Sequence, residues 1–370
     1  MNITFLIGNG FDLNLGLNTL YSDFIKDYKV STTQFEVING NLTIIPQNHI
    51  TVFKHDIASN EKNWSNAEEE FGKYTSGFYG ENGLNQFLDC HEDFCKELSK
   101  YLEKEEKRID FSVFEKKIVD EFKKAIFNTL YGLTEEQSLQ VKKCYDNTGS
   151  GFNFNFISFN YTSTLDNCVN MTRNKKDLLG NRNFKGSLYE NSIGKLIHVH
   201  GYTYKEMALG LNDESQIENK YLFENCHEED KAQIIKRLTN KINEQRVDEK
   251  TVEILEQSDF IYIYGMSIGS TDAIWWQRIC NLMIKKSSLQ IVIHQYDAPD
   301  VTLFRRNYVK YERELRTHFI SFLSNKDIDV SSLINRIHIT KANIFEGISK
   351  IADDKNMIIS SNKNYATIIE

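Results

Sequence analysis

The sequence predicts an α/β protein that has a mainly parallel β-sheet flanked by helices, an inserted helical subdomain and a small β-hairpin. Three observations support this prediction. Short stretches rich in Ile, Val, Phe and Tyr alternate with helical patterns, which is typical of βαβ units and a parallel sheet. The first apolar stretch ends abruptly in Gly8-Asn9-Gly10, as a buried strand does before a tight loop and a helix. Later apolar stretches also end in small or polar residues.

The N-terminal part of the chain combines one strand with a hairpin and a helical block. Residues 2–8 form the first predicted strand, and residues 19–28 form a helix because apolar side chains recur every four positions. Asn39-Gly40 lies between two apolar stretches and predicts a hairpin within a small antiparallel insertion at about 33–54. The same four-residue spacing predicts that residues 61–130 are helical.

After Gly151 the predicted strands resume and alternate with helices. The strand segments are rich in β-branched and aromatic residues, as buried strands are. The predicted strands cover 152–159, 195–200, 259–265, 289–297 and 335–340, and the predicted helices cover 215–256, 272–286, 304–323 and 342–352. The expected domains are a core at 1–32 and 151–355, a hairpin insertion at 33–60 and a helical insertion at 61–150.

The composition favours a soluble globular protein. The chain has 370 residues, of which 40% are hydrophobic and 26% are charged, and its net charge is −8. An acidic chain is poorly suited to coating nucleic acid, so nucleic acid is not an expected partner. No basic stretch precedes the first strand, and no apolar run reaches about 18 residues. Neither a signal peptide nor a membrane contact is therefore expected, and the predicted location is the cytoplasm.

The six cysteines show no spacing typical of a disulfide framework and include no CxxC pair. Reduced thiols are therefore expected. Cys90-His91 and Cys95 fit half of a metal site, but no second ligand pair follows at a usual spacing. Two cysteines on an amphipathic helix more often belong to a core, so no metal is predicted.

Four predicted strand ends carry residues that suit ligand binding. They read GNGFD at 8–12, FNYT at 159–162, HVHG at 198–201 and GMSIGSTD at 265–272. The carboxyl ends of parallel strands gather at one edge of a sheet, where ligands bind. We therefore expect these loops to converge on a single nucleotide-sized cleft.

Particular groups in these loops match nucleotide chemistry. The backbone of Gly8–Asp12 can cradle phosphate, because glycines allow close approach and helix amides attract anions. The Asn160 amide can bind a ribose hydroxyl or hold a water molecule, and His200 at a strand end is a candidate base near neutral pH. Gly265 and Ser267 suit a phosphate or a ribose.

Other interpretations fit some of the same residues. Each loop can be a plain turn, and His198 with His200 on one side of a strand also fits a metal site. Ser267 lies in Gly-Met-Ser-Ile-Gly, which matches the G-x-S-x-G pattern of serine hydrolases. A nicotinamide dehydrogenase is disfavoured, because Leu13 replaces the third glycine of G-x-G-x-x-G and no acid follows at the expected distance.

The stretch GNGFDLNLGLNTLYSDF at 8–24 resembles the start of the AbiH family, whose members are associated with abortive infection against bacteriophage. FNYT, HVHG, LGLND at 209–213 and GMSIGSTD occur in the order that this family shows. A tryptophan followed by an acid, Trp64 and Glu68, also matches. The resemblance extends from residue 1 to about residue 300 and implies a role in defence against phage.

The same ordered elements are similar to a diverged SIR2-type fold, a Rossmann-like NAD-binding domain with an inserted module. This similarity implies that Asn160 and His200 act at the reacting ribose. The residues predicted to bind the cofactor are Gly8, Asn9, Gly10, Phe11, Asp12, Tyr161, Thr162, Gly265, Ser267, Asp272 and Asp297. Thr162 stands where SIR2-type proteins usually carry aspartate. The zinc-binding CxxC pairs of protein deacylases are absent, which favours NAD hydrolysis over deacylation.

The preferred hypothesis is therefore an antiphage protein that hydrolyses NAD, or a related nucleotide, at the nicotinamide–ribose bond. NAD is the expected substrate or ligand. The alternatives are a non-catalytic nucleotide-binding sensor and a toxin that acts on nucleic acid. The expected partners are a nucleotide ligand, a phage-derived trigger and further copies of the chain in a homo-oligomer.

Overall fold

The computed structural model describes residues 1–30, 35–38, 41–44, 48–146, 148–243, 246–301, 305–324 and 328–352. Within these residues the chain forms two compact units. The first contains residues 1–17, 106–199 and those described after 246, and the second contains residues 18–105 and 200–246. These boundaries differ from the expected domain boundaries, because residues 106–150 belong to the first unit and residues 200–246 to the second.

The described elements alternate between strands and helices through much of the chain. The strands are β1 (Asn2–Ile7), β2 (Phe35–Ile38), β3 (Asn41–Ile44), β4 (Asn153–Ser158), β5 (Asn181–Phe184), β6 (Ser187–Glu190), β7 (Ser192–His198), β8 (Phe260–Tyr264), β9 (Gln290–His294) and β10 (Ile337–Thr340). The α-helices are α1 (Gly10–Asn14), α2 (Tyr21–Val30), α3 (His49–Ser59), α4 (Ala67–Tyr74), α5 (Gly83–Glu106), α6 (Glu115–Phe127), α7 (Glu135–Asp146), α8 (Thr164–Asn174), α9 (Glu228–Ala232), α10 (Lys236–Ile242), α11 (Val247–Gln257), α12 (Ala273–Lys285), α13 (Arg306–Ser321), α14 (Ser331–Ile334) and α15 (Glu346–Ala352). Short 3₁₀ segments cover Asn63–Asn66, Thr75–Gly77, Phe111–Phe114, Lys176–Leu179, Glu214–Gln216, Lys220–Phe223 and Ser270–Asp272.

Six strands of the first unit form one parallel sheet in the order β10-β9-β8-β1-β4-β7. Numbered along the chain, these strands stand in the order 6-5-4-1-2-3, which is the doubly wound Rossmann order read from the opposite edge. The chain moves outward from β1 in one direction and then outward in the other, so β1 and β8 flank the switch point. The predicted α/β fold with a mainly parallel sheet flanked by helices is confirmed.

Both faces of this sheet are buried. Along β1, Phe5 faces one hydrophobic core and Leu6 faces the other, as the two-residue period of a strand requires. The first core includes Phe122 of α6 and Phe345 just before α15, and the second includes Trp276 of α12. Burial on both faces explains why these strands appear in the sequence as nearly continuous apolar runs.

The outer edge of β10 is covered by side chains. The carbonyls of Ile337 and Ile339 point away from β9. They accept hydrogen bonds from Nε of Arg316 at 2.7 Å and from the hydroxyl of Tyr308 at 3.0 Å, both on α13. Among the described residues, these edge carbonyls are therefore paired by side chains rather than by a further strand.

The second unit has its own core of aromatic side chains. Phe53 and Phe94 are fully buried, and Trp64 packs edge-on against Phe71 with ring centroids 5.1 Å apart. β2 and β3 pair in an antiparallel hairpin, which confirms that predicted feature. The predicted turn residues Asn39-Gly40 lie outside the described residues.

The predicted antiparallel insertion does not extend to residue 54. Residues 49–59 form α3, because Asn48 caps its first turn by accepting a hydrogen bond from the backbone of Thr51 at 2.9 Å. Phe53 and Ile57 are four residues apart and both fully buried. A helical face, rather than a strand, thus buries the apolar residues of this segment.

Two further segments differ from the sequence-based prediction. The predicted helix at 215–256 is divided into α9, α10 and α11 with short turns before them. The β5–β6 hairpin was not predicted. No helix in the described part of the chain is both long and apolar enough to cross a membrane.

Candidate functional site

Four neighbouring strands of the first unit end at the same level. The register aligns Tyr264 of β8 with Ile7 of β1, Ile7 with Ser158 of β4, and Ser158 with His198 of β7. Each of these residues closes its strand, so the following loops begin side by side at the carboxyl edge of the sheet. In open α/β sheets, ligands bind at this edge beside the switch point.

The glycines of the first and last motifs lie against each other at the switch point. Gly8 donates its amide to the Tyr264 carbonyl at 2.9 Å, and Gly10 donates to the Gly265 carbonyl at 2.8 Å. A Cβ atom on Gly10 would lie 2.3 Å from the Cα of Gly265, whose φ is +66°. The structure thus brings these predicted residues together, and close approach of the two loops explains why glycine is required.

The side chain of Phe11 belongs to the hydrophobic core. It is fully buried and packs edge-on against Phe345 with ring centroids 5.2 Å apart. Asn9 is partly buried and precedes α1. Within the predicted cofactor loop, Phe11 therefore anchors the loop to the sheet rather than facing outward.

Asp12 connects the loop after β1 to the loop after β4. Its carboxylate is 1% exposed and accepts hydrogen bonds from the hydroxyls of Thr162, at 2.7 Å, and Thr164. Burial raises the pKa of Asp12 to about 6, and the two hydroxyl donors offset part of this effect. Thr162 therefore has a structural partner in Asp12.

Asn160 lies two residues beyond β4 and is 4% exposed. Its backbone amide donates to Oγ of Ser158 at 3.3 Å, and its carbonyl accepts a hydrogen bond from Nδ1 of His198 at 2.9 Å. Neither polar atom of the Asn160 side-chain amide has a hydrogen-bond partner among the described residues. Buried polar groups of proteins are nearly always paired, so this amide stands out at the sheet edge.

His198 is held between two acceptors. Its Nδ1 contacts the Asn160 carbonyl, and its Nε2 lies 2.7 Å from Oδ2 of Asp166 on α8. The His198 side chain is 1% exposed. This pair was not predicted from the sequence. The only signals were the position of His198 in HVHG and that of Asp166 in the first turn after FNYT.

His200, the predicted base, lies two residues beyond β7 and is the first residue of the second unit. It is 5% exposed, and its carbonyl accepts a hydrogen bond from the amide of Ala208 at 2.9 Å. Gly201 has a φ of +71°, and a Cβ there would lie 2.0 Å from the Glu206 carbonyl. The glycine of HVHG is therefore required by the turn that follows the histidine.

Ser267 lacks the backbone of a serine-hydrolase nucleophile. In such enzymes the serine lies on a strained strand-to-helix turn. Ser267 is exposed in the stretch between β8 and α12. Ser267 is also not among the described non-glycine residues with a positive φ, which are Lys185, Glu206 and Arg246. The geometry does not favour the serine-hydrolase interpretation.

The remaining predicted binding residues lie near other strand or helix ends. Tyr161 is partly buried in the loop after β4. Asp272 directly precedes α12 but makes no side-chain capping hydrogen bond to it. Asp297 is exposed three residues beyond β9 and accepts a hydrogen bond from the Tyr311 hydroxyl at 3.0 Å. The described contacts do not join Asp297 to the group around Asp12.

The cysteine–histidine pair of α5 lies in the core of the second unit. Nε2 of His91 donates to the Leu209 carbonyl at 3.1 Å, and Sγ of Cys95 lies 3.7 Å from the same nitrogen. Burial lowers the pKa of His91 to about 4 and raises that of Cys95. In the described ranges, no group of three or more His, Cys, Asp or Glu residues is arranged to hold a metal ion.

Comparison with known proteins identifies the family. A search of curated proteins finds no significant match. The family model described as "Bacteriophage abortive infection AbiH" matches residues 4–295, which include every motif at the carboxyl edge of the sheet. Because this match covers well over half of the chain, the protein belongs to the bacteriophage abortive infection AbiH family.

Proposed function

We propose that this abortive-infection protein binds NAD, or a closely related nucleotide, at the carboxyl edge of its parallel sheet and hydrolyses the nicotinamide–ribose bond. The observation that carries the proposal is Asn160, a buried amide without a described hydrogen-bond partner. A ligand that donates to and accepts from this amide removes the penalty of leaving it unpaired. Asn160 follows β4, which is separated from the switch point of the Rossmann sheet by β1 alone, and this position supports a nucleotide as that ligand.

The donor set around Asn160 fits a ribose. A carboxamide has one acceptor oxygen and two N–H donors, and ribose hydroxyls can both donate and accept. The loop that carries Asn160 is fixed by His198 at one point and by Asp12, through Thr162 and Thr164, at another. An amide that is already held in place loses little freedom when it binds, which supports affinity.

In the proposed reaction, a water oxygen bonds to C1′ of the ribose while the bond to nicotinamide breaks. Nicotinamide leaves as a neutral molecule, and a base takes one proton from the water. The transition state resembles an oxocarbenium ion, so orientation of the water and the ribose supplies much of the acceleration. We assign that orienting role to Asn160. The role of base for His200 and the diphosphate contact for Gly8–Asp12 rest on the SIR2-type resemblance.

The Asn160→Ala variant tests the proposal. It is expected to lower NAD hydrolysis by about 100-fold or more, because the group that orients the reactants is lost. Free nicotinamide released from NAD by the purified full-length protein is the measurement. Asn191→Ala is the matched control, since Asn191 is also a buried amide but is bonded to the backbone of Phe152 and Gly180. Nicotinamide release by Asn160→Ala at the rate of the parent would contradict the assigned role.

A second measurement separates catalysis from sensing. Binding of ADP-ribose, without release of nicotinamide from NAD, would identify a nucleotide sensor instead of a hydrolase. Because the family acts against phage, the parent and the Asn160→Ala and His200→Ala variants are also compared in cells challenged with phage. Falling cellular NAD during infection in the parent alone is the expected result.

A further inference from the structure

We propose that His198 and Asp166 are positioning residues for the proposed nucleotide site, and that the His198 ring acts as a doubly protonated imidazolium. This inference rests on the proposed function, because the pair fixes how the Asn160 amide is presented to a nucleotide. The pair lies entirely within the first unit. It joins the end of β7 to the loop after β4 and to the first turn of α8.

The hydrogen bonds of the ring fix its protonation. Nδ1 lies 2.9 Å from the Asn160 carbonyl, which can only accept a hydrogen bond. Nε2 lies 2.7 Å from a carboxylate oxygen of Asp166, which when ionised can also only accept. Both nitrogens must therefore donate. With Asp166 as a carboxylate, the ring therefore carries a hydrogen on each nitrogen.

The proton on the ring controls the shape of the Asn160 loop. A neutral imidazole has one N–H donor, so it can donate a hydrogen bond to the Asn160 carbonyl or to the Asp166 carboxylate but not to both. Loss of the proton therefore releases either the start of the loop or the start of α8. The Asn160 side chain follows directly from the carbonyl that His198 holds, so its direction depends on this bond.

The charged groups around the ring support a cation there. Asp166 on α8 pairs with it, and Asp12 of α1 interacts with it electrostatically. The Glu106 carboxylate at the end of α5 accepts a hydrogen bond from the backbone of Ser163, in the loop after β4 that carries Asn160. On α11, which also packs against β7, Glu253 pairs with Lys195 three residues before His198. Asp166 and Asp12 thus both interact electrostatically with this ring.

The first experiment tests the ring without reference to nucleotides. The full-length protein is labelled with ¹⁵N-histidine, and the signals of His198 are assigned by their absence in His198→Asn. Both ring nitrogens are expected to carry hydrogen at pH 7. By contrast, burial lowers the pKa of His338 to about 4, so that ring is expected to be neutral. A neutral His198 at pH 7 would overturn the proposal.

The second experiment tests positioning with ADP-ribose as the probe, by calorimetry. In His198→Asn the side-chain amide nitrogen lies near the position of Nδ1, so it can still donate to the Asn160 carbonyl. In His198→Gln the amide nitrogen lies near the position of Nε2, so the donor to the Asn160 carbonyl is lost. His198→Gln is expected to bind roughly tenfold more weakly than the parent, at the lower end of the losses seen when groups that orient metal ligands are removed. His198→Asn is expected to retain most of the affinity. Equal affinity of His198→Gln and the parent would overturn the positioning role.

Asp166→Asn separates geometry from charge. Its amide can donate to Nε2 of a neutral ring whose Nδ1–H still reaches Asn160. This variant is therefore expected to bind ADP-ribose about as tightly as the parent does. His338→Gln, at a buried histidine bonded to Gln290, controls for loss of a core histidine. If the parent itself does not bind ADP-ribose, the proposed function fails, while the ¹⁵N result still decides the state of the ring.

Discussion

Buried polar side chains at the sheet edge fall into two kinds. Asp12 and His198 have specific partners, and those partners fix the loop between β4 and α8. Asn160 in the same loop has none among the described residues. A fold gains nothing from an unpaired buried amide, because desolvation of the amide costs about 1–3 kcal/mol. The contrast supports the proposed role of Asn160 in binding rather than in stability.

Replacement of Asn160 is expected to affect stability much less than replacement of a bonded amide. Asn191→Ala removes one hydrogen bond from the backbone of Phe152 and two to the carbonyls of Leu179 and Gly180. It is expected to lower the free energy of unfolding by about 1–3 kcal/mol, because these buried groups lose their partner. Asn160→Ala is expected to remain within about 1 kcal/mol of the parent or to exceed it. Urea unfolding followed by circular dichroism measures both. Equal losses would mean that Asn160 is a structural residue.

The buried carboxyl of Asp12 predicts a specific pH dependence. Its pKa in the folded state, about 6, lies above its ordinary value of 3.8. Its contribution to stability is therefore present at low pH and is lost as the pH rises through about 6. A shift of about two units corresponds to roughly 3 kcal/mol.

Asp12→Asn is expected to become more stable relative to the parent as the pH rises from 4.5 to 7.5. The neutral amide removes the penalty for a buried charge, so the difference in the free energy of unfolding should grow by about 2 kcal/mol across this range. Urea unfolding at both pH values measures the difference. A difference that stays constant with pH would show that Asp12 does not titrate in this range.

Among the elements, the two loops at the switch point depend on contact between glycines. Gly265→Ala places a Cβ 2.6 Å from the Cα of Gly10, at a residue whose φ is +66°. Both strain and overpacking are unfavourable, so the variant is expected to lose about 2–4 kcal/mol of stability. Gly77→Ala is the control, because open space surrounds that position and its φ is not in the left-handed region. A calorimetric melting scan distinguishes the two, and an unchanged melting temperature for Gly265→Ala would contradict the packing described.

The strands buried on both faces could be predicted well from the sequence. The predicted segments 2–8, 259–265 and 289–297 contain β1, β8 and β9, because helices on both sides require continuous apolar runs. The β5–β6 hairpin escaped prediction because its strands are largely exposed and polar. β7 begins three residues earlier than predicted, since an edge strand needs no apolar residues at its exposed start.

For the molecule as a whole, the separation of residues along the sequence decides which parts of the candidate site could be predicted. Local motifs indicated the positions of the glycine loop, Asn160 and His200, because each directly follows a strand. The pair of Asp166 and His198 is separated by 32 positions and forms only when β4 and β7 lie side by side. The lack of partners around Asn160 is likewise a property of the folded chain.

The strands of the parallel sheet come from segments that are far apart in the sequence. The central strand β1 pairs with β4, about 150 residues later, and with β8, about 260 residues later. Between these strands the chain enters the second unit twice, at residues 18–105 and 200–246. Such non-local pairing slows folding, because long loops must close before the contacts form. The candidate site needs β1, β4 and β7 together, so its formation depends on the closure of these long loops.

The side chains of α13 that bond to β10 also govern how copies of this protein can meet. A foreign strand that docks on β10 needs the carbonyls of Ile337 and Ile339, which Arg316 and Tyr308 already occupy. Addition of strands at this edge is disfavoured, because the hydrogen bonds from both side chains must first break. A homo-oligomer of the folded protein would then have to be built from surfaces other than a continued sheet at this edge.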